Sequence, residues 1–181
     1  MLKVVIPPIK ELWDSQKEQF VSFDGATLEL EHSLVSVSKW ESKWNKSFFS
    51  KQEKTYEETI DYIRCMTLTE NVETTVYNYL TRENYEQINK YIEAPMTATT
   101  FPNERKTAGG RELITSELIY YWMISLNIPF ECQYWHLNRL LTLIKVCNVK
   151  NTPPKKMSRR EIMSRNTALN EARKAQFHSK G

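Results

Sequence analysis

The chain has 181 residues, a length that suits one domain with an appendage, and its five Trp and nine Tyr supply material for a sizeable core. Only four glycines interrupt a sequence rich in helix-forming residues, so the composition favours a mainly α protein. The net charge of +3 is unevenly distributed: ten Lys and Arg face only Glu161 and Glu171 from Lys145 onward, whereas the remainder has fifteen basic and twenty acidic side chains. This pattern predicts an acidic globule with a basic arm that binds a partner, for which nucleic acid is only one candidate.

The cysteines and the N-terminal residues indicate the cellular compartment of the protein. Cys65, Cys132 and Cys147 are odd in number and lie in helical patterns, which is typical of buried thiols in a reducing compartment. Residues 1–10 lack a cationic start followed by a long apolar stretch, so no secretory signal is predicted. We therefore expect a cytosolic protein.

The N-terminal region has strand-like patterns. Leu2 to Ile6 is a β-prone run that Pro7-Pro8 stops. Residues 19–23 and 26–31 then flank Asp24-Gly25, a dipeptide that favours a two-residue turn. The sequence predicts a β-hairpin over about 19–31, and because an isolated hairpin is marginal in water, we expect it to dock on the helical body or on another copy.

Helical spacing begins after Ser33, and several helix starts are marked by capping residues. A first helix carries an apolar face with two tryptophans, Trp40 and Trp44. Thr55 with Glu58 forms a capping box ahead of a second helix. Two short helices are predicted over 73–80 and 82–92, the second capped by Thr81.

Residues 94–110 have no periodicity, and a gap of this length inside a domain is unusual. Two interpretations stay open, a plain surface excursion or a segment that a partner orders. Phe101 in this segment is a candidate partner contact.

The stretch 111–147 contains two strongly apolar helical segments joined at Asn127-Ile128-Pro129, and we expect the fold to be centred on this αα-hairpin. Pro129 suits the first turn of the second helix. The apolar run of the first segment is far shorter than the ~20 residues of a membrane span, so the hairpin belongs in a core with much of its circumference covered. The first helix has an expected face of Ile114, Leu118, Trp122 and Leu126, which Ile119, Tyr121 and Met123 widen. The expected face of the second is Leu137, Leu140, Leu141, Ile144 and Cys147.

The sequence predicts two parts: a helical domain over 1–150, and a Pro-Pro linker with a basic C-terminal helix over 151–181. Ser158 and Glu161 form a capping box that opens this helix, which runs to about Ala175. Its apolar residues are few and small, so it packs back weakly or waits for a partner.

The sequence contains only weak candidates for a metal site or a catalytic site. Cys132 and His136 stand four apart, a spacing that can hold two zinc ligands, but no further pair accompanies them, and a buried cysteine beside a hydrogen-bonded histidine is favoured. The same pair lacks an orienting acid for nucleophilic catalysis. The acids Glu53, Glu57, Glu58 and Asp61 fit a solvated helix face. We predict no catalytic residue, no metal, no cofactor and no enzyme.

Partner-binding residues are drawn from three places. Trp40 and Trp44 would form an interface hot spot or, as large aromatics more often do, part of the core. The basic arm would bind phosphates or an acidic protein surface, or would be a solvated charged helix. Together with Phe101, the candidate contacts are Trp40, Trp44, Arg159, Arg160, Arg165, Leu169 and Arg173.

The chain resembles a family of small tailed-phage proteins, described as tail assembly chaperones, in the phrases LELEHSLVSVSKWESKW, DYIRCMTLT, MTATTF, YYWMISLNIPFECQYWHLNRLLTLIKVCN and PPKKMSRREIMSRN. The resemblance spans roughly Thr27 to the C-terminus. It implies a helical protein without catalytic residues or cofactors that coats the hydrophobic tape-measure protein in the host cytoplasm until tail-tube subunits replace it. It also implies self-association, and a longer product made by a ribosomal frameshift near the end.

Two other functions are weighed against the chaperone. A structural virion component, such as a tail or connector subunit, would use the β-hairpin for subunit contacts. A nucleic-acid-binding module would use the arm after Lys145, but the arm has no interleaved aromatic residue except Phe177, so this ranks third.

Overall fold

The structure is a computed structural model of the chain, and it describes residues 1–14, 19–101, 113–153 and 158–177. The fold of these residues is mainly helical with a small antiparallel β element near the N-terminus, which confirms the predicted class. The chain divides into two compact units, Met1–Asn148 and Val149–Gly181. The strands are β1 (Leu2–Ile6), β2 (Ile9–Asp14), β3 (Gln19–Phe23) and β4 (Ala26–Leu30). The helices are α1 (Leu34–Trp44), α2 (Tyr56–Met66), α3 (Arg82–Glu93), α4 (Ser116–Ser125), α5 (Leu137–Asn151) and α6 (Arg159–Phe177), with 3-10 helices at Thr74–Tyr79 and Phe130–Tyr134.

The four strands form two antiparallel ribbons, β1 with β4 and β2 with β3. Ile6 lies opposite Ala26 in the first ribbon, and Ile9 lies opposite Phe23 in the second. The predicted hairpin over 19–31 is therefore wrong in its pairing, because its two strands, although both present, pair with the strands that precede them.

The break between the ribbons has a local cause on each side. Pro7-Pro8 lies between β1 and β2, and prolines lack the N–H groups that would continue a strand ladder. Opposite them, Gly25 has a φ of +85°, and a Cβ there would lie 2.9 Å from the Ile6 carbonyl oxygen. The Asp24-Gly25 dipeptide thus serves a bend between two ribbons and not a two-residue turn.

Both outer edges of the β1–β4 ribbon are covered, which protects them from pairing with another chain. On the β1 side, the Asn84 side chain of α3 donates to the Val5 carbonyl oxygen at 3.0 Å. On the β4 side, the Leu68 N–H donates to the Glu29 carbonyl oxygen at 2.7 Å. The ribbon is therefore held between α3 and the segment that follows α2.

Helix α1 contacts α2, α4 and the second 3-10 helix. It starts as predicted, because the Ser33 hydroxyl accepts a hydrogen bond from the Ser36 N–H at 3.2 Å. The core around it draws on both ribbon and helices, with Val4, Ile6, Leu28, Leu30, Leu34, Val37, Trp40, Ile63, Met66, Ile88, Ile119, Met123, Leu137 and Leu140 among its buried residues. Burying each such side chain stabilises the fold by about 1.5–3 kcal/mol.

The predicted caps of α2 and α3 are confirmed. Thr55 and Glu58 exchange both hydrogen bonds of a capping box, at 2.8 and 3.2 Å. Thr81 does the same with Asn84 at the start of α3. The short helix predicted over 73–80 is present as a 3-10 helix.

The second helix of the predicted hairpin starts later than its sequence suggests. Residues after Pro129 form a short 3-10 helix, and α5 begins only at Leu137. The reason is tertiary: His136 makes an isolated β-bridge with Ser33, and the Leu137 N–H donates to the His32 carbonyl oxygen at 2.7 Å. Pairing with the segment before α1 replaces the helical hydrogen bonds that Pro129 would otherwise have started.

The buried face of α4 is narrower than the predicted stripe, of which Tyr121 is exposed. Ile119 and Met123 are fully buried, whereas Leu118 and Trp122 are half-buried. Ile114 precedes the helix and is exposed. The predicted face of α5 agrees better with the structure. Of its five apolar positions, Leu137, Leu140 and Ile144 are buried, and Leu141 and Cys147 are half-buried.

The second unit contains α6. Ser158 and Glu161 make the predicted capping box, at 2.7 and 3.2 Å. Every residue of α6 is exposed. Of the predicted linker, Asn151 is the last residue of α5, and residues 154–156 lie outside the described part of the chain.

Candidate partner-binding surface

The outer side of α4 and the following 3-10 helix carry large apolar side chains that the protein leaves exposed. We call Tyr121, Ile124, Phe130 and Tyr134 the aromatic face; their exposed fractions are 63, 60, 53 and 64%. The half-buried Tyr120 of α4 lies beside Phe130 of the 3-10 helix, with their ring centroids 6.4 Å apart. The Tyr120 hydroxyl also donates to the Gln133 side chain at 2.9 Å.

The inner side of α4 is anchored, which fixes the aromatic face in place. The Thr115 hydroxyl caps the helix by accepting from the Leu118 N–H. Glu41 of α1, itself buried, accepts a hydrogen bond from the Ser116 N–H at 2.7 Å. A carboxylate at the first turn also interacts favourably with the helix dipole. The Ser47 hydroxyl donates to the Ile114 carbonyl oxygen at 2.6 Å, so that both the start and the approach of α4 are tied to the α1 region.

Trp40 belongs to the core. Its side chain is 1% exposed, and its indole N–H donates to the Glu58 carbonyl oxygen at 2.9 Å. The ammonium group of Lys54 lies 5.5 Å from the centre of its ring. The prediction that Trp40 contacts a partner is therefore wrong for this fold, and the alternative reading as core is confirmed.

Trp44 is half-buried and belongs to a polar cluster. Its indole N–H donates to the Asp61 carboxylate at 2.9 Å, and Lys43 forms an ion pair with the same group. Glu58 is paired with Lys46 at 2.5 Å, and this hydrogen bond is the main cause that lowers the pKa of the Glu58 carboxyl. Glu58 and Asp61 are thus buried acids with partners, which corrects their assignment to a solvated face.

Phe101 is half-buried, and the Lys145 ammonium group lies 4.3 Å from the centre of its ring. Residues 94–101 form neither helix nor strand. At the start of this segment, the Asn138 side chain donates a hydrogen bond to the Ala94 carbonyl oxygen at 2.9 Å. The rest of the predicted aperiodic segment, 102–110, lies outside the described residues.

The remaining predicted contacts lie on α6. At 100° per residue, Ile162 and Leu169 share one side of the helix with Arg165 and Arg173. Ile162 and Leu169 are 45 and 44% exposed, so this side offers aliphatic and cationic groups together. Arg159 lies at its edge. The predicted contacts Arg159, Arg160, Arg165, Leu169 and Arg173 are all exposed, although Arg160 points away from the Leu169 side.

A buried histidine pair lies where α5 meets the segment before α1. The rings of His32 and His136 are 5.1 Å apart and meet edge to face. The Nδ1 atom of His32 shares a 2.5 Å hydrogen bond with the Tyr62 hydroxyl. Burial, with the neighbouring His136 ring as a second cause, lowers the pKa of His32 to about 3. Burial also lowers the pKa of His136, so that both rings are neutral near pH 7.

The arrangement around His136 leaves it without a free nitrogen. Its Nε2 lies 3.0 Å from the Tyr91 carbonyl oxygen, to which it donates, and its Nδ1 accepts from the Asn138 N–H at 3.3 Å. Cys132 lies in the preceding 3-10 helix, and burial raises the pKa of its thiol. A protonated thiol and an occupied imidazole match the favoured reading of this pair, a buried cysteine and a hydrogen-bonded histidine. Among the described residues, no group of three His, Cys, Asp or Glu side chains is placed to hold a metal ion.

No family model matches the chain, and neither a curated protein nor a solved structure is significantly similar to it. In the described ranges, no helix combines the length and the apolar character that crossing a bilayer requires.

The aromatic face is the surface that sequence reasoning missed. The first apolar segment is hydrophobic on nearly all sides, so its periodicity does not distinguish an inner from an outer face. Two features of the sequence indicate the exposed side. On a helical projection Tyr121 and Ile124 fall opposite Ile119 and Met123, and the charged Glu117 lies on the same side as Tyr121 and Ile124.

Proposed function

We propose that this protein is a non-enzymatic tail assembly chaperone of a tailed phage, which binds the tape-measure protein in the host cytoplasm. The observation that carries the proposal is the aromatic face, where four large apolar side chains are more than half exposed on an anchored helix and the turn after it. Contiguous exposed apolar surface is rare on monomeric soluble proteins and marks interaction sites. The sequence resemblance supports the same conclusion.

In this proposal the stretch 111–147 is the client-binding centre of a helical adaptor. Tyrosine and phenylalanine side chains give large contact areas at a low cost in side-chain entropy, which suits a surface that accepts many similar apolar segments. Client helices lay their apolar stripe on the aromatic face until tail-tube subunits displace the chaperone. The basic helix α6 adds a second, charged contact through Arg159, Arg165 and Arg173 beside Leu169.

Co-expression tests the proposal. The full chain, expressed with the tape-measure protein, is expected to bring the client into the soluble fraction and to elute with it as a complex. Tyr121→Ser with Ile124→Ser should abolish most of this solubilisation, because the double variant removes apolar surface from the proposed client contact. Both side chains are exposed and contribute little to folding, so the variant should fold like the native chain. Val5→Ser with Leu68→Ser, which removes aliphatic surface that is 63 and 55% exposed elsewhere, is the matched control and should retain it.

Two results would contradict the proposal at different levels. A client that stays insoluble beside the native chain, with no complex on the column, rejects the chaperone function. A client that is solubilised equally by the native chain and by the aromatic-face variant keeps the function and rejects this surface.

The second candidate is a structural virion subunit, and the β2–β3 ribbon favours it. Neither ribbon gains a third strand within the described residues, and isolated two-stranded ribbons are marginal in water. A ribbon of this kind is suited to contacts between subunits. Mass spectrometry of purified particles separates the candidates, since a stoichiometric amount of the chain in mature particles supports the structural role and a trace amount supports the chaperone.

A further inference from the structure

A groove separate from the aromatic face lies between the segment around residues 97–99 and α5. Its volume is about 260 Å³, enough for one or two side chains. Leu143, Val146 and Trp135 line it with half-buried apolar surface, and Thr97 and Thr99 contribute hydroxyl groups. The groove therefore combines apolar side chains with a few polar groups, as binding sites commonly do.

Arg139 supplies a positive charge at this groove. Its guanidinium carbon lies 4.1 Å from the centre of the Trp135 ring, so the cation is stacked on the indole. Stacking engages the face of a guanidinium and leaves its in-plane N–H groups available for hydrogen bonds. In the part of the chain that the structure describes, no carboxylate lies within ion-pair distance of Arg139.

This combination selects the chemistry of an occupant. A guanidinium held flat by an aromatic ring is prepared for the two parallel hydrogen bonds that a carboxylate accepts. In the same groove, Leu143 and Val146 offer apolar surface for an aliphatic side chain. A nucleic-acid strand fits less well, because Arg139 already covers the ring on which a base would stack and a single cation neutralises few phosphates.

We propose that this groove binds a short acidic segment of a protein partner, with a Glu or Asp carboxylate paired to Arg139 and a neighbouring aliphatic side chain packed against Leu143 and Val146. The hydroxyl groups of Thr97 and Thr99 hydrogen-bond to the backbone of the bound segment. The groove and the aromatic face are built from different residues, so this inference does not depend on the chaperone function and adds a charge requirement to whatever protein the chain binds.

Fluorescence anisotropy with labelled peptides tests the proposal on the full chain. The probes are a fluorescein-labelled eight-residue peptide of alternating Glu and Leu and its counterpart with Gln in place of Glu. The Glu peptide is expected to bind the native chain more tightly, with an advantage that shrinks as salt is raised. Arg139→Met, which keeps a side chain of similar length on Trp135 but removes the charge, should weaken the Glu peptide about tenfold or more and leave the Gln peptide unchanged.

The controls separate a specific site from general effects. Arg82→Met removes an exposed arginine that pairs with Glu86 and should leave both affinities as in the native chain. If Arg139→Met does not fold, as judged by far-UV circular dichroism, Arg139→Lys replaces it; a retained charge without the planar fork should give an intermediate loss.

Three results of these titrations would overturn the proposal, and a fourth would assign the groove to another ligand. The proposal is overturned if neither peptide binds, if the two peptides bind the native chain equally, or if the Arg139 variants match the native chain. An eight-nucleotide oligo(dT) probe that binds more tightly than the Glu peptide, and loses that affinity in the Arg139 variants, would assign the groove to nucleic acid instead.

Discussion

Glu41 is the buried carboxylate on which the position of α4, and with it the aromatic face, most directly depends. One of its oxygens accepts from the Phe48 N–H at 2.7 Å, and the other accepts from the Ser116 N–H, also at 2.7 Å. Its side chain thus joins α1 to the loop after it and to the first residue of α4. Replacing it with alanine removes both acceptors at once.

The expected loss can be worked out from the surroundings of the two donors. Hydrogen bonds to a charged group contribute roughly 1.5–3 kcal/mol each, and a buried donor left without a partner costs a comparable amount. Ser116 is fully buried, so water cannot replace the lost acceptor there, whereas Phe48 is half-buried and water compensates in part. We expect Glu41→Ala to lower the free energy of unfolding by about 3 kcal/mol and Glu41→Gln by about 1–2 kcal/mol.

Urea unfolding followed by tryptophan fluorescence and far-UV circular dichroism measures these losses. Glu53→Ala is the matched control, since Glu53 is exposed and its loss should change the free energy of unfolding by less than about 0.5 kcal/mol. Hydrogen exchange adds a local readout, because the Ser116 amide should exchange faster in Glu41→Ala than in the native chain. A Glu41→Ala variant as stable as the control would refute the reasoning.

Three further predictions concern the histidine pair, the bend between the ribbons and the two tryptophans. His32 and His136 have folded-state pKa values below their unfolded value of about 6.5, so their contribution to stability is full above that pH. The contribution of His136 declines as the pH falls below about 6.5, and that of His32 declines until the pH reaches about 3, at up to about 1.4 kcal/mol per pH unit for each ring. Urea midpoints measured from pH 7 to 4 should fall less steeply for the double variant His32→Gln with His136→Gln, and equal slopes would contradict this account. Gly25→Ala should cost about 1–3 kcal/mol, since its φ of +85° is strained for alanine and the added Cβ meets a backbone oxygen at 2.9 Å; an unchanged thermal midpoint would count against the strained bend. Trp40→Ala should lower the free energy of unfolding by about 3–5 kcal/mol and Trp44→Ala by only about 1 kcal/mol, because the first empties a core site and the second breaks a half-buried hydrogen bond. Equal losses in urea unfolding would contradict the assignment of Trp40, and not Trp44, to the core.

Features that depend on near neighbours along the chain were readable without coordinates. Thr55, Thr81 and Ser158 each cap the helix that follows them, because the side chain that accepts the hydrogen bond and the N–H that donates it are three residues apart. The helical positions of Leu137, Leu140 and Ile144 were predictable for the same reason, since a regular apolar spacing marks one side of a helix.

Features that depend on distant neighbours were misread. The Asp24-Gly25 dipeptide has the local chemistry of a hairpin turn, but the strands on either side of it pair with β2 and β1, which precede the dipeptide in the chain. The choice of pairing partner lies outside the dipeptide and its two flanking strands. Similarly, Pro129 suits the start of a helix, but the bridge between His136 and Ser33 delays α5 until Leu137.

By itself the sequence determined the class of the protein, the helix starts that carry a capping box and the separation of a basic arm from an acidic body, because composition, caps and charge are properties of the chain alone. Only the tertiary structure decided which surfaces are exposed. The first apolar segment is hydrophobic on nearly every side, and the packing of Ile119 and Met123 into the core turns Tyr121 and Ile124 outward. Burial is a property of what a residue packs against, and for α4 that is α1, some seventy residues earlier in the chain, through contacts such as that of Glu41 with Ser116 at a sequence separation of 75.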